Sequence, residues 1–294
     1  MRIGRVEFGG STEPAIYHQQ HWVRSSICAS AVAGSGVVDL LMARDQLQHD
    51  LNNLDLTEAL EMGDAVAEEI AQLAVPIDSV HSIIAVGLNY REHAEEVNLK
   101  EPSTPLTFAK WPSSLTGPRA DILLDRSIST EVDHEVELAV IIGKHTIDVA
   151  VADALNHVAG YAVANDLSAR DVQFAEKQWT RAKSFDGFCP LGPWITSADQ
   201  VPDPQRLRLS CSVNGKLKQN SSTDRMIFSV AQLISFASTA TTLEPGDLLL
   251  TGTPAGVAMG SERPEWLRPG DVVRCEIESL GMIENRMVER LTTI

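Results

Sequence analysis

The sequence predicts a β-rich α+β fold. Seven apolar runs of strand length follow residue 76, against only two helical patterns. Turn chemistry separates the runs, most clearly Asn214-Gly215 in SVNGKL, a strong hairpin signal. Strands and helices do not alternate as βαβ units, which argues against a parallel α/β sheet.

Taken in order, RIGRVEFGG and PAIYHQQHWVR read as two short strands joined by a Gly9-Gly10 turn. From Leu40 the pattern turns helical and acid-rich, with breaks around Asn52 and Gly63, and a boundary falls near Pro76. Residues 1–75 are therefore expected to form a small N-terminal α+β domain and 76–294 a larger, β-rich one. The seven later strands are Ile83 to Gly87, Leu106 to Lys110, Glu135 to Ile142, Val158 to Asn165, Leu207 to Val213, Leu248 to Thr251 and Val272 to Glu278. Helices are expected over Asp148 to His157 and Asp224 to Thr239, the second with Ile227, Val230 and Ile234 at helical spacing.

A chain of 294 residues with 44% apolar content is long enough for a large core. Forty acidic against 24 basic residues leave a formal charge of −16, which repels nucleic acid and anionic lipid. A small anionic ligand then requires a local positive element. The most apolar early stretch, residues 29–43, is interrupted by Ser30, Gly34, Ser35, Gly36 and Asp39, so no membrane span is expected. The start MRIGRVEFGG has no hydrophobic block of a signal peptide, and a cytoplasmic location is the expectation. Cys28, Cys189, Cys211 and Cys275 show no CxxC spacing and read as reduced, buried thiols.

The chemistry concentrates in VDHEVELAV, residues 132–140. Asp133, Glu135 and Glu137 alternate, so on an extended strand they share a face. Solvated, such a face persists; buried, it needs a cation, and hard divalent cations take oxygen ligands. Asp166, ending the apolar VAGYAVAND, is the expected third ligand beside Glu135 and Glu137. By contrast, Glu276 and Glu278 in VVRCEIESL have Arg274 on their face and form an ordinary ladder.

In VGLNYREHAEEVN a strand gives way to a helical turn that places His93 and Glu96 at i and i+3. Two readings stand: a surface ion pair, or a His oriented by Glu to handle a proton near neutral pH. ANDLSARDVQ offers Arg170 and Gln173, and RAKSFDGFCPLGP offers Lys183: Arg170 either pairs with a neighbouring acid and Lys183 lies solvated, or they receive an anionic ligand. LLLTGTPAG ends an apolar strand in small residues, with Thr253 adding a hydroxyl, either as a tight turn or as a carboxylate-binding loop. GxSxG, Walker A, GxGxxG and HExxH motifs are absent.

GLNYREHAEE, TFAKWPSSLTGP, DHEVELAVIIGK, GYAVANDLSARDVQ, KSFDGFCPLGPWI and LEPGDLLLTGTPAGVAMG occur in this order. Together, over about residues 80 to 280, they resemble the fumarylacetoacetate hydrolase family, and the first 75 residues resemble its small bacterial N-terminal domain. The resemblance implies a mixed β-sandwich roll, a homodimer, and Mg²⁺ or Mn²⁺ held by Glu135, Glu137 and Asp166. It makes His93 and Glu96 a water-activating pair on a lid, Lys183 the active-site lysine, and Arg170, Gln173 and Thr253 substrate-site positions. Lys110, in the F-x-K motif, is expected as a further substrate-binding position, and Asp133 matches no ligand position.

The implied activity is hydrolysis of a C–C bond in a 2,4-dioxo acid such as an acylpyruvate, through a pyruvate enolate whose charge the cation and Lys183 offset. Isomerisation of a 2-hydroxy-diene-dioate and decarboxylation of an oxaloacetate-like acid use the same enolate without water. A non-catalytic carboxylate-binding module is the third reading.

Overall fold

The computed structural model describes residues 1–28 and 36–290. The early part of the apolar stretch at 29–43 therefore lies outside the described residues.

Two mixed sheets make the body. The larger runs Ala65–Ala67, His21–Arg24, Ser11–His18, Arg2–Phe8, Cys189–Ser197, Val158–Asn165, Val136–Ile142, Leu248–Leu250, Ile83–Gly87, Leu106–Lys110, with Leu115–Thr116 paired onto Cys189–Ser197. Its neighbours are antiparallel except Leu248–Leu250 beside Ile83–Gly87 and the Leu115–Thr116 pair, which are parallel. The smaller sheet runs Lys216–Ser222, Arg208–Val213, Val272–Ile277, Gly281–Glu289, Ile122–Leu124. Its first hairpin turns at Asn214-Gly215, both with positive φ, as the Asn-Gly signal requires.

Val136–Ile142 is buried along its whole length, because it is covered on both sides. Val136, Leu138, Val140 and Ile142 pack with Leu209, Val273 and Ile277 of the smaller sheet and with Val230 and Ile234 of the helix Val230–Ala240. Ala139 and Ile141 face the opposite layer, with Val37, Leu40 and Leu41 of Val37–Met42 and Leu47 and Leu51 of Arg44–Asn52. Residues before Pro76 thus share a sheet and an apolar layer with those after it: Arg2 lies opposite Thr196 and Ile3 opposite Ile195.

Three expected elements differ, each through a contact the local pattern does not contain. PAIYHQQHWVR is two strands, because Gln19 and Gln20 adopt φ 47° and 65° and fold His18 back opposite His21. The segment expected as helix from Asp148 keeps only a short 3₁₀ turn, Ala154–His157. Its amides dock instead on the Val230–Ala240 helix: Asp148 N–H donates to the Ser238 carbonyl at 2.8 Å and Val149 N–H to Ser238 Oγ at 3.1 Å. The other helix begins at Val230, six residues late. Ile227 N–H and Phe228 N–H are held extended by the Asn89 carbonyl and Asn89 Oδ1 at 2.7 and 2.8 Å, so the cap falls on Ser229.

All four cysteines are buried free thiols; Cys211 and Cys275 face each other across neighbouring strands. Among the described residues no helix is long and apolar enough to cross a membrane.

Candidate active site

The carboxylates meet because two strands pair in one register. Val136 lies opposite Asn165, so Glu135 and Asp166 extend the same ladder: Asp166 N–H donates to the Glu135 carbonyl at 2.8 Å, and Glu135 N–H to Asn165 Oδ1 at 2.9 Å. Oxygens of Glu135, Glu137 and Asp166 lie within 4.8 Å of one another, and all three residues are buried. Asp133 leaves this face. It sits on the separate strand Val132–Asp133, where its carboxylate takes Arg170 Nε at 3.0 Å and the amides of Ala258 and Met259 at 2.7 and 3.1 Å.

Burial raises the cost of charge, and three cations answer it. Lys183 Nζ donates to Glu135 Oε2 at 2.5 Å and Asp166 Oδ2 at 2.7 Å. Lys110 Nζ donates to Asp166 Oδ1 at 2.6 Å and to the carbonyls of Phe188, at 3.1 Å, and Lys183. Arg170 joins Asp133 to Glu135 and reaches Gln173 Oε1 at 3.0 Å. Burial opposes ionisation of Glu135, yet Lys183 and Arg170 hold its carboxyl at about 2. Burial likewise pushes the Lys183 ammonium down, but Asp166 and Glu135 outweigh it and hold the group above the ordinary lysine range.

Glu137 is the exception. Its only hydrogen-bond donor among the described residues is Gly252 N–H at 2.7 Å, and burial, with Asp166 and Glu135 beside it, raises its carboxyl well above the usual range. Four carboxylates thus face three cations. A divalent cation fits this set: the donors are hard oxygens, and the one carboxylate of the four without a cationic partner is the one a bound ion would allow to ionise. The linkage has a definite sign. An acid whose folded value exceeds its unfolded value binds more protons in the folded state, so metal-free protein loses stability as pH rises above the ordinary glutamate range. We expect its Tm to fall between pH 5 and 8 and saturating Mg²⁺ to remove most of that slope, as thermal melts would show; a flat metal-free profile would mean that Glu137 is charged without a cation.

A cleft of about 550 Å³ opens onto the carboxylates. It brings together His93, Glu96, Glu135, Glu137, Arg170, Gln173, Lys183 and Thr253. Lys110 is not in its lining; with three acceptors it supports Asp166 from behind. The Thr253 hydroxyl is also spent internally, donating to the Val136 carbonyl at 3.0 Å and accepting from Gln219 Nε2 at 2.8 Å.

The His93–Glu96 pair is no free surface ion pair. His93 is 5% exposed, its Nδ1 lies 3.1 Å from Glu96 Oε2, and Glu96 Oε1 accepts Gly256 N–H at 2.9 Å. Gly260 makes room for the carboxylate: a Cβ there would come within 2.2 Å of Glu96 Cδ. Two positioning residues were missed in the sequence. Asp133 is one, read as an acid of the row although its strand partner is Ser168. The other is Asn89, whose Nδ2 donates to the carbonyls of Thr251 and Phe228 at 2.8 and 3.0 Å, joining the helix bearing His93 to the Thr251–Thr253 loop; its place in GLNY, just after a strand, was the available signal.

Fold and site together define a sheet-rich enzyme built around a buried three-carboxylate centre. The chain belongs to the fumarylacetoacetate hydrolase family, whose C-terminal domain model matches residues 82–288. It is 42% identical over 272 residues to the mitochondrial oxaloacetate tautomerase FAHD2B of Bos taurus, covering 87% of this chain and 85% of that protein. Among solved structures, 2-hydroxyhepta-2,4-diene-1,7-dioate isomerase of Mycobacterium marinum matches with a TM-score of 0.76 and 31% identity, covering 99% of this chain and 99% of the other. Maleylpyruvate hydrolase of Sphingobium sp. SYK-6, in complex with manganese(II) and pyruvate, matches with a TM-score of 0.79 and 28% identity, covering 99% and 100%. Isomerases and hydrolases therefore both stand among its relatives.

Proposed function

We propose that this protein is a tautomerase of 2-keto acids, interconverting keto and enol forms by moving a proton between C3 and the C2 oxygen. Its relatives named for oxaloacetate tautomerisation make that acid the first substrate to test. The observation that carries the reading over hydrolysis is that both Glu96 oxygens are occupied, one by His93 Nδ1 and one by Gly256 N–H. With Glu96 fixed from both sides, the carboxylate orients the ring and the pair presents one basic nitrogen, His93 Nε2. That suits proton transfer at carbon.

A divalent cation held by Glu135, Glu137 and Asp166 would supply Lewis-acid stabilisation of the charge that develops on the keto oxygen. Lys183 adds to it: two of its three N–H bonds serve Glu135 and Asp166, which leaves one for the ligand. His93 Nε2 takes the C3 proton, and Glu96 faces the resulting imidazolium through Nδ1. Delivery of that proton to the C2 oxygen gives the enol; the reverse order gives the ketone.

The test follows enol-oxaloacetate added to Mg²⁺-restored protein. Loss of enol absorbance should exceed the buffer rate without pyruvate appearing, and keto-oxaloacetate in D₂O should gain deuterium at C3. Pyruvate formed in step with enol loss would instead make it a decarboxylase, and solvent ¹⁸O entering an acid product from an acylpyruvate would make it a hydrolase.

A further inference from the structure

We propose, resting on the 2-keto-acid reading of this cleft, that the preferred substrate carries a neutral, apolar substituent beyond the reacting carbons and not a second carboxylate.

The cleft has two unlike ends. Its floor is ionic: Glu135, Glu137, Arg170 and Lys183. Its outer walls are Leu88, Val97, Leu99, Phe174, Trp179 and Met259. Leu99 and Phe174 stand 54% and 63% exposed and line the same cleft with the other four, so together they form an apolar patch rather than scattered surface residues. Phe174 comes from the helix Arg170–Glu176, whose first residue anchors the ionic floor, whereas Leu99 follows the helix that carries His93. The two apolar edges are therefore fixed to the two sides of the reaction centre. Trp179 is held between them and the sheet, edge-on to Phe108 at 5.3 Å, and Gly87 leaves it space, since a Cβ there would lie 2.5 Å from the indole.

Charge points the same way. The cations lining the cleft, Arg170 and Lys183, already pair with Asp133, Glu135 and Asp166. The other carboxylates lining the cleft are Glu96, bonded to His93, and the exposed Glu262. A distal carboxylate entering there would meet like charge and no lysine or arginine of the lining other than Arg170 and Lys183, while an aryl or alkyl group would cover exposed apolar surface. The volume agrees: about 550 Å³ falls in the range of sites that enclose ligands much larger than a four-carbon acid.

Two measurements test this on Mg²⁺-loaded protein. With reactive acids, kcat/KM for enol loss should be at least about tenfold higher for benzoylpyruvate than for acetylpyruvate or oxaloacetate, the equivalent of burying part of one aromatic ring. The Leu99→Ser/Phe174→Ser variant should bring the benzoyl-to-acetyl ratio close to one. With acids that have no C3 proton and cannot enolise, calorimetry should find benzoylformate at least about tenfold tighter than ketomalonate. Equal or reversed order in the calorimetry overturns the apolar-tail inference, even if every acid is tautomerised. Tight benzoylformate binding with no tautomerisation of any acid overturns the reaction assigned above and leaves the apolar tail standing.

Discussion

His93→Ala is expected to lower kcat for keto–enol interconversion by about 10²- to 10⁴-fold, the usual contribution of a positioned general base. The ring is buried in the cleft wall and held by Glu96, which Gly256 N–H fixes in turn, so no neighbouring nitrogen stands ready to replace it. None of the three cluster carboxylates bonds to His93, so the variant should keep its Mn²⁺ affinity, readable by electron paramagnetic resonance. Added imidazole should restore part of the rate, because the cavity left by the side chain opens to the cleft. A variant that keeps turnover within threefold would place the base elsewhere. Loss of metal together with turnover would make His93 part of the cation site.

Asp133→Ala should cost the most stability, about 3–5 kcal/mol, the cost of removing one partner from a buried ion pair. Asp133 is fully buried and gathers Arg170 Nε with the amides of Ala258 and Met259, and also accepts its neighbour His134 N–H at 2.9 Å. Without it a buried guanidinium keeps only Glu135 and Gln173, and three amides lose their acceptor. Denaturant unfolding measures the loss directly. The Ala258–Gly260 turn should shift with it, so KM should rise as well as kcat fall. An unchanged midpoint would show that Glu135 and Gln173 alone satisfy Arg170.

Much of this was legible in the chain. Apolar runs of strand length located Ile83–Gly87, Leu106–Lys110 and Val158–Asn165 with the observed bounds. Val158–Asn165 is buried along its whole length and Ile83–Gly87 largely so, while Leu106–Lys110 closes the sheet as a mostly exposed edge strand, so local pattern and tertiary demand agree in each. The helix expected from Asp148 failed because its amides found Ser238, ninety residues away in the case of Asp148. The Asp224 start failed for the same kind of reason: Asn89 claims the amides of Ile227 and Phe228. Local propensity has no term for a distant acceptor.

The site divides along the same line. Glu135, Glu137 and Asp166 could be selected from spacing, because alternation on a strand and a position after its neighbour are local properties. The sequence alone also determined that so acidic a chain must bring positive charge to any buried acid. Only the tertiary structure decided which charges those are: Lys110 reaches Asp166 across 56 residues and Lys183 reaches Glu135 across 48. It also decided that Asp133 turns away to Arg170, that Lys110 and the Thr253 hydroxyl serve the scaffold, and that Glu137 alone is left without a cation. Coulomb energy depends on distance in space and on burial, and neither is a property of position along the chain.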